Sequence, residues 1–378
     1  MAIMSQTPIG LRRALGLLSK FCSQESIEIN YGKTKVLVFA KRPRQYCWSI
    51  NGHRIAQVNL FKYLGVVFQS SGSRNAHLKS TLLTAQSTTN LITSFHFSRG
   101  ASYIPAAVKL FVSKVHSQVL YGAQIGPVSN FMALETLQSK FLRSILLVPR
   151  CVPNAALRRE VGMIRLETCY WRTIILFWLK FVFSCVGLAP LIKTDCFRFK
   201  WQTQIADKLA HYGFSQDEII KLGYDRARIE IKQRIMDMEL QEEVASLPKN
   251  IFLGDQIFNT KPASYLSLVT IPKFRRALTL ARLNALPSAV MEGGFKGTPF
   301  SARLCPCGSG QVETIAHAIL YCNFYRDTRL RLVSPLLQHF PGHLDDFYLK
   351  YLLSSSDDNL IIRMARYCHI ICTIRSGF

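Results

Sequence analysis

The sequence predicts an α+β chain that is mostly α. Three observations predict it. The β-forming runs are confined to about residues 34–68, helical periodicity fills nearly everything from residue 74 onward, and a compact Cys/His cluster sits at 305–322. The chain has 378 residues, of which 49% are hydrophobic, so it can bury a sizeable core and divide into two or three domains.

Leu11, Leu15, Leu18 and Phe21 recur at helical spacing, so residues 9–26 read as an amphipathic helix. Residues 34–40 form a β-rich run. Trp48–Ile50, Asn51-Gly52 and His53–Ile55 read as a hairpin, because Asn-Gly supplies the two positive φ angles of a tight turn. Phe61–Phe68 is a further strand, and Ser70-Ser71-Gly72-Ser73 ends the β pattern. Helices are expected at 75–97, 104–122 and 130–148, divided by Arg99-Gly100, Gly126-Pro127 and Pro149-Arg150. Pro153-Asn154 opens another helical run to about residue 187.

Residues 174–192 are long enough to test as a membrane span. Lys180 in the middle and Pro190 near the end interrupt them, so a buried helix is expected there, with Trp171 and Trp178 in the core, and no membrane partner. Further on, 201–245 is polar and helical, 246–262 a linker, 263–290 basic and helical, and 341–378 a helical tail. The expected domains are 1–73, 74–150, 151–245, the linker, 263–340 and 341–378.

The net charge is +24, and residues 1–125 hold fifteen Lys/Arg against Glu25 and Glu28 alone. A field of one sign attracts polyanions, although a solvated basic surface has the same composition. The N-terminus lacks the basic and apolar regions of a signal peptide. Eleven cysteines, an odd number, are spread along the chain. A reducing compartment, nuclear or cytoplasmic, is expected, with clustered cysteines as metal ligands or core rather than disulfides.

Cys305-Pro306-Cys307, His317 and Cys322 offer three thiolates and an imidazole, the donor set of a structural Zn2+. Pro306 and Gly308-Ser309-Gly310 supply a sharp turn, and 312–322 reads as a short helix presenting His317. Chance burial of Cys and His in a core is the alternative. Cys368, His369 and Cys372 lie in an apolar tail and read as core. Gly32-Lys33-Thr34 mimics the end of a P-loop, but Ile27 stands where its first glycine belongs.

Taken in order, Asn30-x-x-Lys33-Thr34, a strand, the Asn-Gly hairpin and Phe61-Lys62-Tyr63-Leu64-Gly65 resemble reverse transcriptases of non-LTR (LINE-type) retrotransposons. Lys140-Phe141-Leu142-Arg143, Val148-Pro149-Arg150, Pro153 through Arg158 and Glu160-Val161-Gly162 are similar to the helical region after their palm. The Cys/His cluster is similar to their C-terminal motif. The resemblance spans about residues 4–335. It implies a palm remnant with a small antiparallel sheet over 1–73, a helical thumb over 74–150, and RNA and DNA, as template–primer, for partners.

On that resemblance Lys33 is a catalytic-side cation beside the leaving pyrophosphate, although a solvated strand-edge lysine reads the same way. Phe61, Lys62, Tyr63, Leu64 and Gly65 correspond to the primer grip, with Phe61 and Leu64 equally readable as core. Arg42, Arg44, Lys79, Arg99, Lys109 and Lys114 are candidates for phosphate contact. Polymerisation in this family needs carboxylates that hold two Mg2+ ions. Their Tyr/Phe-Ala-Asp-Asp hairpin would fall immediately before Met1. The chain is therefore expected to be truncated just after that motif, with Mg2+ belonging only to the complete enzyme. Asp345-Asp346 and Asp357-Asp358 read as caps or surface. Three functions follow: a C-terminal fragment of an RNA-directed DNA polymerase, inactive alone; a non-catalytic RNA/DNA-binding zinc module; or an inert retroelement relic.

Overall fold

The computed structural model describes residues 1–101, 103–125, 131–184, 200–337 and 345–376. It is mostly helical with a small mixed sheet. Two compact units divide it. One is formed by residues 1–84 with Ile125, the other by 85–124 and the chain from Phe131 on.

In the first unit, α1 (Pro8–Gln24) starts where Thr7 caps it, accepting from the Gly10 N–H at 3.0 Å, with Pro8 at the first helical position. Leu15 and Leu11 join the core, but Phe21, Leu17 and Ile9 stay exposed, so only part of the expected apolar face is used. The sheet has the order β1 (Lys35–Leu37), β3 (His53–Val58), β2 (Trp48–Ile50). β1 runs parallel to β3 with Val36 opposite Gln57, and β2 runs antiparallel with Trp48 opposite Ile55. Alternation puts Val36, Trp48, Ile50 and Ile55 on the face packed against Leu15. Asn51 and Gly52 have φ of 49° and 78°, the hairpin turn their sequence predicts.

The run 61–68, expected as one strand, is instead a second hairpin: β4 (Leu60–Tyr63) pairs with β5 (Val66–Gln69). The reason is local. Gly65 takes φ 81°, which costs a glycine nothing, and draws Leu64 to φ 45° with it. The chain then enters α2 (Asn75–Ser98).

The second unit is built mainly of helices among its described residues. α3 (Ile104–Leu110) widens into a π-helical stretch, Phe111–His116, before α4 (Ser117–Leu120). α5 (Met132–Leu146), α6 (Asn154–Val161) and α7 (Leu166–Phe183) follow. α7 buries Trp171, Ile174, Ile175, Trp178 and Leu179, as expected of a core helix; the rest of the 174–192 segment, from 185, lies outside the described residues. No helix among the described residues is long and apolar enough to cross a membrane. Then come α8 (Lys200–His211), α9 (Gln216–Leu222), α10 (Tyr224–Ala245), α11 (Tyr265–Leu268), α12 (Pro272–Arg282) and α13 (Ala289–Lys296). α14 (Arg326–Leu332), α15 (Ser334–Leu337), α16 (Asp345–Ser354) and α17 (Asp358–Arg375) complete it.

Residues 246–262, expected as a linker, pack onto α6. The Ala263 N–H donates to Glu160 O at 2.9 Å, and Gln256 Nε2 donates to Arg159 O at 2.9 Å. A Cβ on Gly162 would stand 2.4 Å from the Lys261 backbone, so only glycine admits this segment.

Candidate metal centre and nucleic-acid face

The Cys/His cluster is built on a short turn and a single helical turn. Leu304 bridges Val312, the Cys305 N–H donates to Gln311 O at 2.8 Å, and the Glu313 N–H donates to Arg303 O at 3.0 Å. Gly308 and Gly310, at φ 77° and 70°, let the chain reverse between these rungs. The expected helix over 312–322 is shorter: a π-helical turn, His317–Tyr321, ends on Cys322. Residues 312–314 are taken by the bridge and by the Thr314 hydroxyl, which accepts from the His317 N–H at 3.1 Å.

These elements bring the Cys305, Cys307, His317 and Cys322 ligand atoms within 4.8 Å of one another. Cys305 Sγ and Cys322 Sγ are 3.7 Å apart, and Cys307 Sγ and His317 Nε2 are 3.4 Å apart. Zn–S bonds of about 2.3 Å at tetrahedral angles separate two sulfurs by about 3.8 Å, and a sulfur and a nitrogen by about 3.5 Å. The site can therefore hold a metal ion, and these two edges are compatible with a zinc tetrahedron. His317 Nδ1 lies 2.9 Å from Gln311 Oε1; a proton on Nδ1 donated to that oxygen leaves Nε2 as the free ligand. Burial pushes the Cys305 and Cys322 thiols above the usual range. Burial acts on Cys307 in the same direction, but the Ser309 hydroxyl and N–H outweigh it and bring its thiol down to about 6. With an ion bound, four protein donors would leave no open position, the arrangement of a structural site.

The cluster is tied to the rest of its unit by buried charge. Glu313, 1% exposed, pairs with Arg375 Nε at 3.1 Å and accepts from the Ala289 N–H. Arg329 Nη1 donates to Cys322 O at 3.0 Å, and the Tyr367 hydroxyl to Ile319 O at 2.9 Å. Cys368 is fully buried, as expected of core, whereas His369, whose ring lies beside Phe274, and Cys372 are only half-buried. Asp357 caps α17, accepting from the Leu360 N–H at 2.7 Å. The Asp345 and Asp346 side chains lie outside the described residues.

A second buried ionic constellation carries no sequence motif. Arg158 Nη1 meets Glu135 at 2.9 Å and its Nε meets Glu243 at 2.5 Å, while Arg159 Nε meets the other Glu243 oxygen at 2.9 Å. Glu160, fully buried, takes Arg282 in a two-point contact at 2.7 and 3.1 Å, and the Tyr265 hydroxyl donates to it at 2.5 Å. Burial pushes the Glu243 carboxyl up against the pull of Arg158.

The residues expected to meet nucleic acid lie on both units. In the first, Lys33 is exposed in a turn held by its own N–H donating to Asn30 Oδ1 at 2.9 Å. Arg42 and Arg44 are exposed in a loop that Gln57 anchors: its Nε2 donates to Arg44 O at 2.8 Å, and its Oε1 accepts from Trp48 Nε1 at 2.9 Å. In the β4–β5 hairpin Phe61 and Tyr63 are half-buried, whereas Lys62, Leu64 (74% exposed) and Gly65 face solvent. Leu64 is thus surface, not core. The His77 ring on α2 braces this hairpin, Nδ1 accepting from the Val67 N–H at 3.2 Å. Lys79 is exposed on the same helix. In the second unit, Lys109 and Lys114 are exposed, and Arg99 lies 5.4 Å from the Phe95 ring centroid.

Compared with models of known protein families and with curated proteins, the chain finds no match.

Proposed function

We propose that this chain is the nucleic-acid-binding portion of an RNA-directed DNA polymerase of non-LTR type, stabilised by a structural zinc and without a polymerase metal centre of its own. The observation that carries the reading is electrostatic. Between Glu28 and Glu135 there are twelve Lys/Arg and no Asp or Glu. A surface so one-sided repels itself until a polyanion neutralises it.

The hairpin at 60–69 supports the same reading. A leucine held at positive φ costs roughly 1–2 kcal/mol and leaves a large apolar side chain in water. Beside it, Gly65 allows backbone to approach a strand closely and Lys62 can reach a phosphate. That combination suits gripping a primer end, the role its sequence resembles. Lys33, exposed and anchored by Asn30, suits a phosphate contact. Catalysis is not assigned: the Asp pairs of this sequence lie at 345–346 and 357–358, beyond the Cys/His cluster, and Asp357 is spent capping a helix. Two-metal phosphoryl chemistry needs carboxylates converging on both ions.

The test is affinity for an RNA–DNA template–primer across a salt series with zinc present. Each phosphate neutralised steepens the fall of log K with log salt by roughly 0.7 to 0.9. A slope of several is expected. No affinity even at low salt would leave the inert relic as the better reading. Primer extension with dNTPs and Mg2+ is expected to give no incorporation, and robust incorporation by the chain alone would overturn the non-catalytic part.

A further inference from the structure

Packing does not account for the aromatic side chains where α2 turns into α3. Phe95 and Tyr103 leave 54% and 57% of their surface in solvent. Both line a cavity of about 220 Å3, together with Ile92, His96, Arg99 and Leu110. The Arg99 guanidinium lies over the Phe95 ring, so one wall combines a flat π face with a cation. The buried polar side chain of the lining is His96, 5% exposed, whose Nε2 has no hydrogen-bond partner among the described residues. Burial, reinforced by Arg275, holds its pKa below the usual histidine value.

The turn that shapes this cavity is fixed before any ligand arrives. Gly100 and Ala101 take φ of 72° and 52°. Arg275, 3% exposed on α12, donates to Ala101 O and, at 3.0 Å, to Val269 O. One buried arginine thus ties the end of the α2 turn at Ala101 to Val269.

We propose that this cavity is a nucleobase pocket: it takes one unstacked base of a single-stranded RNA or DNA against the Phe95 and Tyr103 rings. The inference rests on the nucleic-acid reading above and deepens it. Unstacked bases are held by aromatic rings and arginine planes, a mode that tolerates any base. The charge agrees, since residues 85–124 contain Arg99, Lys109 and Lys114 and no acid.

The test uses the full zinc-loaded chain and two fluorescein-labelled strands of equal length, an oligouridylate and an abasic sugar-phosphate strand. Phe95→Ala and Tyr103→Ala are each expected to weaken oligouridylate binding about tenfold and to leave abasic binding unchanged. Tyr103→Phe keeps the ring and is expected to keep the affinity. Both rings are exposed, so the variants should melt like the parent, which circular dichroism checks. Equal losses on both strands, or no loss while the parent still binds, would overturn the pocket and leave the nucleic-acid reading standing. Failure of the parent to bind either strand would remove that reading and the pocket with it.

Discussion

In residues 1–84 twelve Lys/Arg face two acids, and Lys33, Arg42, Arg44, Lys62 and Lys79 are all exposed. From residue 85 on, Arg158, Arg159, Arg282 and Arg375 are buried against Glu243, Glu160 and Glu313. The same side chains serve opposite ends. Where no acceptor inside the fold meets it, a cation stays in water, and it remains available to a phosphate. Where a carboxylate meets it with good geometry, it can be buried, and then it fixes which helices pack together. A buried pair is a weak source of net stability, but breaking one is costly because the survivor is stranded. The first unit is therefore tolerant of single charge changes and sensitive to salt, and the second is the reverse.

Removing the metal should be the largest break in that contrast. Zinc analysis of the purified chain is expected to give one equivalent, absent in Cys322→Ser. Chelation should collapse the 303–322 segment and expose it to protease, because structural zinc contributes on the order of 10 kcal/mol to the segments it folds. Metal-free protein with an unchanged melt would rule the centre out.

Next comes Glu160→Ala, which strands Arg282 in the core and is expected to cost about 3–5 kcal/mol in denaturant unfolding. Replacing Glu160 and Arg282 together by apolar residues should recover much of that loss, which a double-mutant cycle reads directly.

Acid is a smaller lever on the same unit. Burial, with Arg172 adding to it, holds the His116 pKa down at about 4. The unfolded chain binds this proton near pH 6.5 and the folded chain does not. Stability is thus full above pH 6.5 and falls as pH drops from there to 4, by about 3 kcal/mol for this one group. His116→Gln should flatten that part of the stability–pH profile; an unchanged profile would show that the ring is not neutral in the folded state.

Lys62→Ala tests the other side of the comparison, with the smallest effect. Its melting temperature should not move, while template–primer affinity drops and the salt slope shrinks by about one phosphate contact. A destabilised variant with unaltered slope would place Lys62 in the fold rather than on the nucleic-acid face.

What could be read along the chain follows the same division. The Asn51-Gly52 turn and the Cys305, Cys307, His317, Cys322 spacing are local, and both are legible because a turn or a chelate is set by a few neighbouring residues. The hairpin at 60–69 was half legible: Gly65 is the signal, but nothing adjacent says that Leu64 will follow it to positive φ. The burial of Arg158 and Glu160 is not legible locally, because their partners Glu243 and Arg282 lie 85 and 122 residues away in sequence. For the same reason the polar, helical stretch 201–245 does not reveal that Glu239 and Glu243 are each 2% exposed. The His96 cavity was not legible either, since its shape depends on Arg275 in a distant helix.

The pairing of Glu313 with Arg375 sets an order of assembly during synthesis. The four ligands are complete once Cys322 has been made, so metal can close the ribbon early. The carboxylate beside it must then wait for an arginine made 62 residues after it. During that interval a charge destined for the interior stays in water and holds the ribbon off the helices it will pack against. Docking of the Cys/His segment thus waits for α17, which carries Arg375.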